Sequence, residues 1–292
     1  LELSSRSWRL AFSVGDTRRR GAVITAGDLE QLAKEIAKAK SKFKLKQEVF
    51  VLSCYEAGRD GFWIHRALAS RGVVNFVVDS ASIEVNRRQR RMKTDRADAD
   101  SLVRLLVRYA NGEDKVWSIA RVPSDEEEDD RRLHRELRRL KKERTGHQAR
   151  IQALLATVGV RLKPGKRFVE ELAEERMWNG LPLPIGLRTE LLREFNRLLL
   201  VREQMAEIET QRLRRLGEPT GESDAKAAKL KKLRGIGPEG AWVLAKELFG
   251  WRKFRNRKEL GAFVGLAPTP YNSGKAIRDQ GISKSGNPRV RT

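Results

Sequence analysis

The sequence predicts an α/β domain followed by an α-helical remainder, and three observations predict it. Short apolar runs alternate with helical patterns over residues 1–118, two long amphipathic helical patterns fill the middle, and the last third has helical stretches parted by Gly235-Ile236-Gly237-Pro238. At 292 residues the chain exceeds one ordinary domain. The expected division is 1–118, a helical connector over 119–224, and a C-terminal domain over 225–292.

Each element follows from its local pattern. "LELSSRSWRLAFS" alternates apolar and polar residues as a strand or hairpin arm does, and "RRRGAVITAG" adds a turn and a second strand. Residues 27–40 space Leu29, Leu32 and Ile36 as a helix. "EVFVLSCYEAG" reads as a buried central strand ending at Glu56, with Cys54 as a core side chain. "GFWIHRALASRG" is a helix closed by Gly72, "VVNFVVDS" a strand, and "TDRADADSLVRLLVRYANG" a helix capped at Thr94 or Asp95. The order is three strands, helix, strand, helix, strand, helix, which calls for a mixed sheet.

In the connector, Ser124 caps an acidic first turn, and a heptad seam runs through Leu133, Leu137, Leu140, Arg144, His147, Ile151, Leu154 and Val158 in one helix over 124–158. His147 is read as a polar interruption of that seam. A second helix over about 187–216 shows Leu187, Leu191, Phe195, Leu198, Met205 and Ile208 on one face, and breaker-rich segments between the two allow an antiparallel coiled-coil hairpin. Residues 217–224 read as a linker. Gly235 and Gly237 then form a tight turn before Pro238 that resembles a helix-hairpin-helix element and exposes backbone N–H groups to a phosphate; a packed helical corner fits equally. "LAPTPYNSGKAIRDQGISKSGNP" reads as polar turns around Ser273.

Charge narrows the function classes. The net charge is +22, with 23 Lys and Arg against 15 Asp and Glu over residues 1–118 and 16 against 4 over 225–292. Nucleic acid is the expected partner of both ends. The candidate contacts are Arg87, Arg88, Arg90, Arg91 and Lys93 in the first domain, and Gly235, Gly237, Arg252, Lys253, Arg255, Arg257, Lys275 and Arg278 in the last. No apolar run has the length of a membrane span and no signal peptide is visible, so no membrane partner is expected. One cysteine and three histidines exclude an internal disulfide and paired zinc-ligand spacing, which suits a reducing cytoplasm. Because the sequence opens at Leu1 without methionine, a few residues are expected before it.

Chemistry enters through the acids. Asp95 and Asp98 are i and i+3 on a helix, Glu56 leaves a central strand, and Glu2 lies in the first strand, its expected neighbour. Four carboxylates at one sheet edge call for a hard divalent cation, Mg²⁺ or Mn²⁺, of the kind used in two-metal phosphoryl transfer. Helix capping, dipole complementation and plain surface positions explain the same acids separately. Ser273 has no nearby His or Asp for a triad, though Lys275 and Arg278 could stabilise charge if it attacked a phosphodiester.

Taken together, "ELS", "YEAG", "KTDRADADSLVRLL" and "LRGIGPEGAWVLAKEL" through "GLAPTPYNSGKAIRDQGISKSGNPRVR" resemble insertion-sequence transposases with an N-terminal DEDD RuvC-like domain and a C-terminal serine domain, guided by a bridge or seek RNA. The resemblance covers essentially the whole chain. It implies an RNase H/RuvC-like first domain, metal-binding acids at Glu2, Glu56, Asp95 and Asp98, and a nucleophilic serine at Ser273 that becomes linked to DNA during strand exchange. It also implies a structured guide RNA, double-stranded donor and target DNA, a dimer or tetramer with composite sites, and a nucleoid-associated place in the bacterial cytoplasm. Glu2 stands where that family has Asp, and a further terminal helix is expected beyond Thr292. Two alternatives remain: a RuvC-like junction nuclease using metal-activated water, and a non-catalytic nucleic-acid-binding scaffold.

Overall fold

A computed structural model describes residues 1–58, 60–83, 95–273, 276–284 and 286–291. The chain divides into two units, Leu1–Pro123 and Ser124–Thr292.

In the first unit the element order matches the sequence reading: β1 (Glu2–Leu3), β2 (Ser7–Ser13), β3 (Arg19–Thr25), α1 (Leu29–Lys42), β4 (Leu52–Glu56), α2 (Trp63–Ala69), β5 (Val74–Val78) and α3 (Asp95–Ala110). β1, β2 and β3 pair antiparallel, while β4 and β5 pair parallel in the register Cys54↔Phe76 and Glu56↔Val78. The Leu1 nitrogen donates to the Cys54 carbonyl at 2.8 Å, tying the start of β1 to β4. Because successive strand residues face opposite ways, Tyr55 and Val77 enter one core with Trp8, Leu10, Ile24, Leu32, Ile64 and Leu68. Their neighbours Cys54 and Val78 enter a second core with Leu102, Leu105, Leu106 and Trp117. The strands are thus covered by α1 and α2 on one side and by α3 on the other, which fixes where strand ends and the first turn of α3 meet.

In the second unit, α4 (Asp125–Asp129) opens on a capping box in which the Ser124 hydroxyl accepts from Glu127 N and the Glu127 carboxylate accepts from Ser124 N. The single long helix expected over 124–158 is two, because the chain bends at Asp130 and Arg131 before α5 (Arg132–Ala156). Asp130 turns to Arg215 and Lys246, and Arg131 stacks on Trp251. After α6 (Phe168–Glu174), α7 (Ile185–Gly217) returns along α5. Leu137 and Leu140 meet Val201, Met205 and Ile208, whereas Ile151 and Leu155 meet Leu191, Phe195 and Leu198, so the pair is antiparallel. Between these cores His147 and Arg150 reach the buried Glu194 carboxylate, each at 2.7 Å.

α8 (Glu222–Lys231) begins inside the stretch read as a linker, and its Asp224 is fully buried. α9 (Pro238–Leu244) runs into one π-helical turn, Ala245–Phe249, and α10 (Arg257–Phe263) follows. The stretch around Ser273 is not a string of turns but an antiparallel hairpin of β6 (Pro268–Ser273) and β7 (Ala276–Ile282). A bulge between Pro268 and Pro270 lets a strand pass through prolines that lack ladder donors. No helix among the described residues is long and apolar enough to cross a membrane.

Candidate functional site

In the first unit the sheet ends place the acids. Glu2 stands in β1 opposite Arg9, and Glu56 is the last residue of β4. Asp95 opens α3, with the half-buried Asp98 one turn later. A cavity of about 450 Å³ is lined by Glu2, Ser4, Ser5, Glu56, Gly58 and Asp60 among others. Asp60 was not a sequence candidate; its signal is a carboxylate between glycines just past a strand end. The Glu2 carboxyl is pushed up to about 6, first by burial, then by the charges of Asp98 and Glu56, with Asp95 adding to the rise. Glu2 therefore lies within electrostatic reach of all three other acids.

Whether a divalent ion suits this place depends on the donors. They are all carboxylate oxygens, the ligand class Mg²⁺ and Mn²⁺ take, and their mutual repulsion is what a cation relieves. Among the described residues no group of three acid, His or Cys side chains is gathered as a finished ligand cage. The fit thus rests on donor chemistry and mutual influence, not on a completed coordination shell. Arg87, Arg88, Arg90, Arg91 and Lys93 lie outside the described residues, as does Lys275.

In the second unit, Ser273 is the last residue of β6, paired across the hairpin with Ala276 at the tip. Residues on both sides of the hairpin lace its base. Ser283 N donates to Ala267 O (2.8 Å), Lys284 N to Gly265 O (3.0 Å), Asn287 N to Phe263 O (2.8 Å), and Arg291 Nη1 to Val264 O (3.0 Å). The approach admits only glycine at two positions: a Cβ at Gly286 would strike the Phe263 carbonyl and Gly265 N, and Gly265 has φ +74°.

Two buried ion networks stand behind this hairpin, and sequence reasoning found neither. They centre on Lys246 and Glu247, consecutive residues of the π-helical turn, each 1% exposed. Lys246 Nζ lies 2.5 Å from Asp224 Oδ1 and 2.9 Å from Asp130 Oδ2, and Arg215 adds bonds to both acids. Burial opposes ionisation of Asp224, but hydrogen bonds from Lys246, Arg215 and Thr220 outweigh it and bring its pKa down to about 2.

Glu247 accepts from His134 Nε2 (2.7 Å), Arg135 Nε (2.9 Å), Arg135 Nη2 (3.0 Å) and Asn287 Nδ2 (3.1 Å). Burial works against its ionisation too, yet His134 and Arg135 hold it well below the usual carboxylate range. Burial keeps His134 below the ordinary imidazole value despite the Glu247 charge. An ionised carboxylate can only accept, so the neutral ring carries its proton on Nε2. The one available signal was a Lys-Glu pair inside the apolar run "AWVLAKELFG".

The remaining nucleic-acid candidates separate by exposure. Lys253, Arg255, Arg257 and Arg278 are exposed, whereas the Arg252 guanidinium stacks over the Phe263 ring at 4.1 Å and the Trp251 ring at 4.7 Å. Gly235 has φ +88°, and Gly237 precedes Pro238 at the first position of α9, giving the tight turn expected there.

Comparison with known proteins places these features in context. Residues 227–292 match the model described as "Transposase IS116/IS110/IS902 family". The chain is 41% identical over its full length to "Putative transposase y4rJ" of Sinorhizobium fredii, covering 77% of that protein. It is 29% identical over 97% of its length to "Putative transposase y4qE" of the same organism, covering 66% of it. It is also 29% identical over 54% of its length to "Transposase for insertion sequence element IS1328" of Yersinia enterocolitica, covering 46% of that protein.

Proposed function

The chain belongs to the IS116/IS110/IS902 family of transposases, and from that premise we propose that it is an RNA-guided DNA recombinase with Ser273 as nucleophile and an acidic, cation-binding centre in the first unit. Transposition of DNA is the family's work; guidance by RNA and the serine mechanism are the proposal. The observation that supports it is the cleft lined by Glu2 and Glu56, in which the Glu2 carboxyl is raised by burial and by the charges of Asp98, Glu56 and Asp95.

Glu2, Glu56, Asp95 and Asp98 would hold Mg²⁺ or Mn²⁺, which when bound supplies Lewis acidity toward a scissile phosphate. Ser273 forms the new bond from its oxygen to phosphorus. The bond from phosphorus to the leaving deoxyribose oxygen breaks, the serine proton passes to solvent, and the leaving oxygen takes up a proton. Arg278, on the strand opposite Ser273, would offset charge on the phosphate, and Lys275, close to Ser273 in sequence, is a second candidate. A structured guide RNA would select donor and target duplexes by base pairing, and the basic surface would hold both through their backbones. Assembly as a dimer or tetramer in the bacterial cytoplasm, at the nucleoid, belongs to the same proposal.

Trapping tests it. Incubated with labelled duplex DNA carrying the element's ends, copurifying RNA and Mg²⁺, the wild-type chain should yield a denaturant-resistant protein–DNA adduct that Ser273→Ala and Mg²⁺ removal abolish. An adduct persisting in Ser273→Ala would overturn the serine mechanism. Cleavage without any adduct would favour a junction nuclease acting through the acidic cleft alone.

A further inference from the structure

We propose that Glu247 is a positioning residue for the nucleophile: its buried carboxylate ties the strap after β7 to helix α5 and thereby fixes the hairpin that carries Ser273. The inference rests on Ser273 acting as proposed above.

The geometry supplies the chain of contacts. Ser273 stands at the tip of the hairpin, and the hairpin's base is closed by residues 283–291 laced onto 263–267. Within that strap, Asn287 uses three separate groups. Its backbone N–H bonds Phe263 O, its Oδ1 accepts from Arg289 N at 3.0 Å, and its Nδ2 donates to Glu247 Oε2 at 3.1 Å. The Arg289 guanidinium also approaches Glu247, at 3.9 Å.

On its other side Glu247 accepts from His134 and Arg135 of α5, more than 110 positions earlier in the chain. Its own backbone carbonyl accepts from Trp251 Nε1 at 3.1 Å, holding the turn that leads toward α10. One carboxylate therefore joins three segments that share no secondary structure: α5, the π-helical turn, and the strap.

An anion is the group this place requires. Every neighbour aimed at the carboxylate is a donor, so Oε1 and Oε2 must both accept. An amide in the same shape would face donors on whichever side its NH₂ pointed, and Arg135 would lose its counter-charge. A π-helical turn at this point fits such a role, since single wide turns in helices accompany functional sites. Misplacement of a nucleophile by about 1 Å is enough to lower a rate about 100-fold, so a tie at the hairpin's base can act on chemistry at its tip without touching DNA.

The discriminating variant is Asn287→Ala, which removes the strap's hydrogen bond to Glu247 and leaves the His134 and Arg135 bonds in place. Using the full chain with its copurifying RNA and the labelled end duplex, adduct formation at saturating DNA should slow about 10- to 100-fold. The DNA concentration at half-saturation and the Tm should stay near wild type. Hydrogen exchange, which needs no catalysis, should quicken for the hairpin amides of 269, 271–273 and 276–282 while those of α5 and α7 keep their protection. Glu247→Gln also takes the counter-charge from Arg135, so it should slow the adduct further and lower the Tm as well, which is why Asn287→Ala carries the test.

An unchanged adduct rate with unchanged hairpin exchange in Asn287→Ala would overturn the inference. So would a rate loss matched by a fall in Tm and exposure of α5, which would mark a merely structural contact. Ser273→Ala in parallel separates the two levels. An adduct persisting there removes the serine reading itself, whereas an adduct lost there but formed at full rate by Asn287→Ala removes only the positioning role.

Discussion

Asp224 and Lys246 illustrate what a buried pair does at the level of single residues. The carboxyl of Asp224 is lowered from 3.8 to about 2, so its contribution is fully present above about pH 4 and is lost as pH falls through about 2. A shift of that size corresponds to about 2 kcal/mol. In urea unfolding between pH 5 and pH 2, wild-type stability should fall by about that amount from this group. Asp224→Asn should lack this part of the fall, while starting about 3 kcal/mol less stable at neutral pH because Lys246 keeps only Asp130 as partner. Neither partner was legible in the sequence. Lys246 and Asp224 are 22 positions apart, His134 and Glu247 are 113 apart, and each alone looks like part of a solvated charged face. What was legible of Glu2, Glu56, Asp95 and Asp98 is their place at the end or start of an element, because the patterns of β4 and α3 are strong and β1 opens the chain's first strand run.

Elements were read well wherever periodicity was long. The α5–α7 pair follows its apolar seam, and the interruption at His147 is filled by Glu194, 2% exposed, on the facing helix. Burial disfavours the Glu194 charge, but His147, Arg197 and Arg150 together hold its pKa below the ordinary value. Replacing a buried ion pair by apolar residues of similar volume is often neutral or stabilising by about 1–4 kcal/mol. Glu194→Ala removes the carboxylate that His147, Arg150 and Arg197 share and should lower the Tm of the second unit in calorimetry, whereas His147→Leu with Glu194→Leu, which refills the seam with apolar volume, should recover part of that loss. The hairpin and the break at Asp130 were not legible. Prolines in "LAPTPY" argue against a central strand, and they are accommodated because β6 is an edge strand of a two-stranded sheet, with Pro268 at its start and a bulge before Pro270. Helical pattern continues through residues 130 and 131, and the break is set by partners far along the chain.

For the molecule as a whole the dominant property is charge. A net +22 concentrated toward both ends predicts steep salt dependence of binding to duplex DNA, because each phosphate neutralised releases a counterion. Lys253, Arg255 and Arg257 are exposed, and if all three contact phosphate, changing them together to Ala should reduce the slope of log K against log salt by about 2.7. Binding at one salt concentration would weaken similarly for any loss of affinity, so the slope is the measurement to make, by anisotropy titration over a range of salt. Arg252→Ala should behave differently. With its guanidinium stacked on Trp251 and Phe263, it should lower stability and leave the slope nearly unchanged.

The lacing of the hairpin's base also fixes an order of events during synthesis. Phe263 and Val264 leave the ribosome before the residues that close on them, Asn287 and Arg291. Until those follow, the serine's strands have no fixed base and Glu247 has no strap to hold. Both α5 and α7 have been synthesised by then, so the base of the Ser273 hairpin closes after they have emerged. A chain halted before Asn287 would therefore carry Ser273 on a hairpin whose base is still unlaced.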